Sequence, residues 1–190
     1  MAIVLASQSP RRQELLARIG VEDFKTLSLD IDESYPEGLS PEDTVRYIAK
    51  KKCDAAAALC APDDLIITAD TMVFLGNDRL GKPRDEEDAL RMLRELAGRG
   101  HTVCTGVSVR RGAQEERFAV STRVFFRPAT DDEIRAYIKT GEPMDKAGAY
   151  GVQSRGALFV ERIDGDFFNV MGLPVEQLGL VLARFGVKLL

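Results

Sequence analysis

Histidine is nearly missing from this chain: His101 is the single one among 190 residues. That leaves few routes to a Ser-His-Asp or Cys-His centre and rules out a multi-histidine metal site. His101 follows Gly98-Arg99-Gly100, a context that predicts a turn residue. Cysteine is scarce too. Cys53, Cys60 and Cys104 are odd in number and form no metal-type pair, which predicts reduced thiols in a cytoplasmic protein. No apolar run approaches membrane-spanning length, so no membrane partner is expected. Residues 2–6 are apolar but too few, and lack the basic leader, for a signal peptide. An excess of basic residues is also absent. The net charge of −4 argues against a nucleic-acid partner, so any polyanion must meet a local basic pocket rather than a basic face. If the chain is an enzyme, carboxylates, lysines and a hard metal ion are left to carry its chemistry.

What is present suits a globular domain. A hydrophobic content of 45% with 29% charged residues excludes disorder, and the length fits one domain, residues 1–190, or two closely joined lobes. Short apolar runs predict strands at residues 3–6 and 65–69, with Asp70-Thr71 at or just beyond the end of the second and Met72 to Leu75 continuing extended, and Val103 to Val109 alternates as another strand. Phe118 to Phe126 alternates as a further strand. Helix starts are marked by Ser9-Pro10, Ser40-Pro41, Asp85-Glu86, Thr130-x-x-Glu133 and Pro174. In the second helix Val45, Ile48, Ala49, Ala56 and Leu59 fall on one stripe, with Lys52 near its middle. Residues 157–171 read as strand, turn and strand around Asp164-Gly165-Asp166. Helices and strands alternate and some strands are hairpin-linked, which predicts an α/β protein with a mixed sheet.

Charge falls in unusual places. Arg11 and Arg12 occupy the first turn of the first helix, at the positive end of its dipole, where an anion would relieve the repulsion. Both arginines pointing into water is the bland alternative. Lys52 either snorkels to solvent or reaches into a cleft. Gly76-x-x-x-x-Gly81-Lys82 matches a P-loop until Pro83 replaces the Ser or Thr, removing the metal-binding hydroxyl, so a P-loop is rejected while Lys82 stays a candidate cation. Asp30, Asp32, Glu33 and Glu37 lie in a loop that fails as a calcium site, with Tyr35 and Pro41 where Gly and Glu are required. Residues 140–156 hold four glycines among small and polar residues with no regular period, a composition that lets backbone approach a ligand. Gln153 in this segment offers a donor and an acceptor that match the imide edge of uracil or thymine. Arg11, Arg12, Lys52 and Lys82 with Glu33 and Asp70 together suit a polyphosphate ester and a magnesium-type ion, although any one of them taken singly reads first as a solvated surface charge.

A resemblance sharpens this. Ala6-Ser7-Gln8-Ser9-Pro10-Arg11-Arg12, Ala69-Asp70-Thr71, Gly81-Lys82-Pro83, the run from Asp145 to Gln153, and Gly172-Leu173-Pro174 resemble the successive signatures of the Maf family of nucleoside triphosphate pyrophosphatases. The motifs follow in order from Ile3 to about Leu182. The resemblance implies a long twisted mixed sheet with two α/β lobes flanking a central cleft, related to the inosine triphosphatases. It implies hydrolysis of a nucleoside triphosphate to monophosphate and pyrophosphate, with Mg2+ or Mn2+ as cofactor and a homodimer as candidate assembly. By the same resemblance Asp70 is the proton acceptor, and Arg12, Thr71 and Gln153 govern substrate choice. Ser7, Arg11, Lys52 and Lys82 surround the phosphates, and Glu33 joins Asp70 at the metal.

A branch that cleaves 7-methyl-GTP differs in the Ser-Pro-Arg-Arg run, at Ala-Asp-Thr and in the Gly-Ala-Tyr-Gly segment. This chain resembles the dTTP/UTP branch at all of them. Ser154 and Phe167-Phe168 depart from the family pattern, and packing is expected of the two phenylalanines. The family's association with cell division leaves a nucleotide-sensing module in septum control as the alternative.

Overall fold

The computed structural model describes residues 1–190. In chain order the elements are β1 (Ile3–Leu5), α1 (Pro10–Arg18), β2 (Phe24–Thr26), α2 (Pro41–Ala57), β3 (Leu65–Leu75), β4 (Asp78–Leu80), α3 (Glu86–Leu96), β5 (Gly100–Arg111), β6 (Gln114–Phe126), α4 (Asp131–Ile138), β7 (Val160–Asp164), α5 (Phe167–Met171) and α6 (Val175–Arg184). Seven strands form one sheet in the order β2-β1-β3-β5-β6-β7, with β4 paired to β3. The β1 pairs with β2 and β3 are parallel, whereas β4 and β7 run antiparallel to their partners. The α/β class with a mixed sheet is therefore as the sequence predicts.

Two compact units share these strands. The first comprises Met1–Asp70, Thr105–Val120 and Gly172–Leu190; the second comprises Thr71–Cys104 and Ser121–Met171. In the first unit α2 begins where Ser40 accepts a hydrogen bond from the Asp43 amide, as its sequence predicts. Its apolar stripe, Val45, Ile48, Ala49 and Ala56, is buried. Leu59 is not: the helix ends at Ala57, and Leu59 is 68% exposed beyond it. A Cβ at Gly106 on β5 would lie 2.3 Å from the Val45 carbonyl carbon, so α2 sits almost backbone to backbone on that strand. The buried Thr68 hydroxyl of β3 donates to the Ala49 carbonyl at 2.7 Å and fixes the helix along the sheet.

The sequence places Asp70 at a strand end, but β3 continues unbroken from Leu65 to Leu75. Met72-Val73-Phe74-Leu75 keeps strong strand propensity, and the first break is Gly76 with φ +62°. The parallel neighbour is what stops. β1 pairs Ile3 to Leu65 through Leu5 to Ile67 and then leaves the sheet, so Asp70 lies past the carboxyl end of β1. The crevice rule for parallel sheets applies to that end.

In the second unit the Asp85 cap of α3 and the Thr130–Glu133 capping box of α4 form as expected. Their apolar faces pack with Val73, Phe126 and Phe159 into one core. Phe167–Met171 is a helix rather than a strand: Asp166 accepts from the Phe168 amide and starts it, and buried Asn169 anchors it to the Val103 carbonyl at 3.0 Å. Phe167 and Phe168 are 42% and 40% exposed, so packing does not account for them. The strand before them is shorter than predicted, because residues 155–159 form a 3-10 turn.

His101 is likewise no turn residue. Gly98, at φ +68°, makes the turn, and His101 is 2% exposed inside β5. Its Nε2 lies 2.8 Å from the Tyr150 hydroxyl, and its ring meets Phe126 and Tyr150 edge-on. Burial pushes its pKa from the ordinary 6.5 down to about 4. The unfolded chain therefore takes up a proton that the folded chain refuses, and stability present above pH 6.5 is lost as pH falls toward 4. Between about pH 7 and about pH 5 this group should remove about 2 kcal/mol of stability, a window in which carboxylates contribute little. Urea titrations of His101→Gln should show a flatter pH dependence across it; an unchanged slope would contradict the assignment.

Candidate active site

The sheet and α2 dictate one contact before any function is considered. Thr68 and Asp70 lie two residues apart on β3 and share a face, while Ala49 and Lys52 lie three apart on α2 and share another. Once Thr68 holds Ala49, the next step along both elements brings Lys52 to Asp70. The Lys52 Nζ donates to Asp70 Oδ1 at 2.7 Å and lies 2.9 Å from Glu33 Oε1. Lys52 thus turns its ammonium to two carboxylates rather than to water, its side chain only 14% exposed. Asp70 is buried, with one notable feature: its Oδ2 is enclosed and has no hydrogen-bond partner. Glu33 reaches Lys52 from the irregular segment before α2 and is exposed.

The start of α1 adds positive charge. Pro10 takes the first helical position as expected, but the Ser9 side chain makes no capping bond. The Ser7 hydroxyl, just outside the helix, accepts from the Ser9 amide at 3.2 Å and from Arg12 Nη1 at 3.3 Å. Arg12 Nε donates to the Gly172 carbonyl at 2.8 Å, so its guanidinium is held from both sides. Desolvation lowers the Arg12 pKa, Asp70 and Glu33 oppose that fall, and Arg11 adds to it. An arginine remains a cation through such a shift. Ser7, Arg11, Arg12, Glu33, Lys52 and Asp70 are therefore gathered within the first unit, and the reading of Arg12 as a purely solvated charge is wrong.

Thr71, Lys82 and Gln153 belong to the second unit. Thr71 is half-buried and directly follows Asp70 on β3; Lys82 and Gln153 are exposed. Lys82 stands beside Gly81, whose carbonyl accepts the Gly148 amide at 3.0 Å, which ties its turn to the glycine-rich segment. Within that segment Glu142–Asp145 and Ala147–Ala149 are 3-10 turns and a third begins at Arg155, with Gln153 in the irregular stretch between them. Gly148, at φ +70°, already brings the backbone to a position where a Cβ would lie 3.0 Å from Val73. Buried Ala149 follows at φ +61°, a conformation non-glycine residues rarely adopt and which concentrates at functional sites. Glu142 and Tyr137, not singled out from the sequence, bind the amides of this segment. An acid placed just before a run of glycines was the only signal available.

The donor set fits a hard divalent ion. The Asp70 and Glu33 carboxylates are oxygen donors, and no group of three or more His, Cys, Asp or Glu side chains forms a closed cage. A magnesium-type ion asks for one or two carboxylates and takes its remaining ligands from water and substrate phosphates.

The family described as Maf-like protein matches residues 2–185. The dTTP/UTP pyrophosphatase of Bacillus velezensis is 46% identical over 98% of this chain and 97% of its own length. That of Dictyoglomus turgidum is 47% identical over 99% of this chain and 98% of its own. Among solved structures, a HAM1 protein from Coxiella burnetii covers 97% of this chain and 99% of its own with a TM-score of 0.56 at 13% identity. The Staphylococcus aureus Ham1 protein covers 97% and 100% with a TM-score of 0.53 at 14% identity. These two share the fold. The relatives share sequence along almost the entire length, and the chain belongs to the Maf family.

Proposed function

We propose that this protein hydrolyses nucleoside triphosphates, dTTP and UTP foremost, to the nucleoside monophosphate and pyrophosphate. The observation that carries the reading is the buried Asp70, one oxygen fixed by Lys52 and the other left without a partner, beside Arg12 and Glu33. Curated relatives similar over nearly the full chain are named for this activity.

In this mechanism Asp70 Oδ2 accepts a proton from the water that attacks the α-phosphorus. The new bond joins water oxygen to the α-phosphorus, the bond to the bridging oxygen breaks, and pyrophosphate departs with its electron pair. Lys52 holds the Asp70 carboxylate through Oδ1 so that Oδ2 faces the water, a fixed geometry that a general base requires. Arg11, Arg12, Ser7 and Lys82 bind phosphate oxygens and stabilise the charge gathered on the leaving group. A magnesium or manganese ion, held by Asp70 and Glu33, would draw charge from the phosphates. Thr71 and Gln153 contact the nucleoside, Gln153 through the donor and acceptor of its amide. The free state of Cys53, Cys60 and Cys104 supports a reducing compartment, and we place the enzyme in the cytoplasm. No helix is long and apolar enough to cross a membrane. A nucleotide sensor would have no use for the partnerless Asp70 oxygen, and no observation favours that alternative.

Incubating the protein with magnesium and a panel of triphosphates, then measuring pyrophosphate, tests the reaction directly. Asp70→Asn should fold normally and lose turnover by at least about a hundredfold, the low end for a general base. Near-normal turnover in that variant would sink the assignment of Asp70. Gln153→Ala should relax the preference for dTTP and UTP over purine triphosphates more than it weakens phosphate binding. Equal losses on every nucleotide would mean that Gln153 does not read the base.

A further inference from the structure

Both ends of the short span that presents Gln153 are fastened by side chains with no part in the chemistry above. Tyr137 projects from α4 with its ring packed against Phe159, centroids 5.3 Å apart, in the core of the second unit. Its hydroxyl accepts the Gly151 amide at 3.1 Å and donates to Glu142 Oε1 at 2.7 Å. The same Glu142 oxygen accepts the Gly156 amide at 3.2 Å, and Oε2 accepts the Arg155 amide at 3.3 Å. Burial opposes the charge on Glu142, but bonds from Ser154, Tyr137 and these two amides keep its carboxyl below the usual range.

The fit is tight as well as polar. A Cβ at Gly156 would lie 2.5 Å from the Gly151 carbonyl oxygen and 2.7 Å from the Tyr137 hydroxyl. A Cβ at Gly151 would lie 2.7 Å from Lys146 Cε, and Lys146 Nζ donates to the Glu142 carbonyl at 2.7 Å. Residues 151 and 156 are thus pinned to one phenol and one carboxylate, and Gln153 stands between them with its side chain exposed.

We propose that Glu142, acting with the Tyr137 hydroxyl, is the positioning residue for base selection. It touches no reacting atom; it fixes the backbone from which Gln153 offers its amide. Holding that backbone in place beforehand spares the ordering cost on binding and makes a mismatched base leave donors and acceptors unsatisfied. The inference rests on Gln153 as the base reader, and its test separates the two claims.

Hydrogen exchange of the full-length protein reads the clamp without reference to activity. The Arg155 and Gly156 amides should be protected in the wild type and exchange at least about tenfold faster in Glu142→Ala, and the Gly151 amide likewise in Tyr137→Phe, the order of one lost hydrogen bond. Protection unchanged in Glu142→Ala would overturn the proposal. In activity, the ratio of kcat/KM for dTTP over dATP should fall about tenfold in Glu142→Ala and partly in Tyr137→Phe, with partial rescue by Glu142→Gln. Tyr137→Phe removes one oxygen and keeps the core ring, so it serves even where Glu142→Ala folds poorly. Glu142→Ala combined with Gln153→Ala should be no less selective than Gln153→Ala alone. A lower Tm with wild-type selectivity in both Glu142→Ala and Tyr137→Phe would mean a purely structural role and overturn the proposal. Wild-type selectivity in Gln153→Ala would instead remove the base-reading assignment, while exchange still judges the clamp.

Discussion

The ammonium of Lys52, set between Asp70 and Glu33, is the contact on which the site depends. Its approach to Asp70 follows from how α2 is seated, and Glu33 reaches it from the irregular segment before that helix. Gly106 lets the helix reach β5 at backbone distance, and Thr68 locks it in register on β3. Lys52 then meets Asp70 one step further along both elements. A buried carboxylate without a countercharge would be costly, and the lysine offsets that cost while leaving Oδ2 unclaimed. A half-satisfied acid is a liability in a core and an asset in a hydrolase. The second positive group, Arg12, is held by the Ser7 hydroxyl and the Gly172 carbonyl, and the charges of Asp70 and Glu33 act on it.

Much of this was legible in the chain, because much of it is local. Ser40, Asp85 and Thr130 are capping residues followed by acids, and each starts a helix at the expected place. Lys52 on an apolar stripe and two arginines at a helix start are conflicts between position and charge, and both resolve at the site. What failed was decided by tertiary neighbours. Asp70 was expected at a strand end, yet the end that matters belongs to β1, and no property of residues 65–75 records where a neighbour stops. His101 looks like a turn residue in sequence because Gly98 and Gly100 flank it, but only Gly98 turns. Phe167–Met171 is too short for periodicity to separate helix from strand, and Asn169 settles it through a buried bond.

The glycine-rich segment shows why composition can mark a site without explaining it. Its irregularity signals function, but its order comes from outside, through Tyr137 on α4 and through the Glu142 carboxylate. Contacts from side chain to backbone amide leave no repeat for a pattern search to find. The strained Ala149 and the close approach of Gly148 to Val73 belong to the same arrangement, in which α/β packing prescribes the path of a loop. Ser7, Arg11, Arg12, Glu33, Lys52 and Asp70 belong to the first unit, and Thr71, Lys82 and Gln153 to the second.

The central claim is that water activated at Asp70 attacks the α-phosphorus. Hydrolysis of dTTP in water enriched with heavy oxygen tests it most directly, with the products separated and weighed by mass spectrometry. The account predicts the label in the nucleoside monophosphate and none in pyrophosphate. Label in pyrophosphate would place the attack at the β-phosphorus and contradict it.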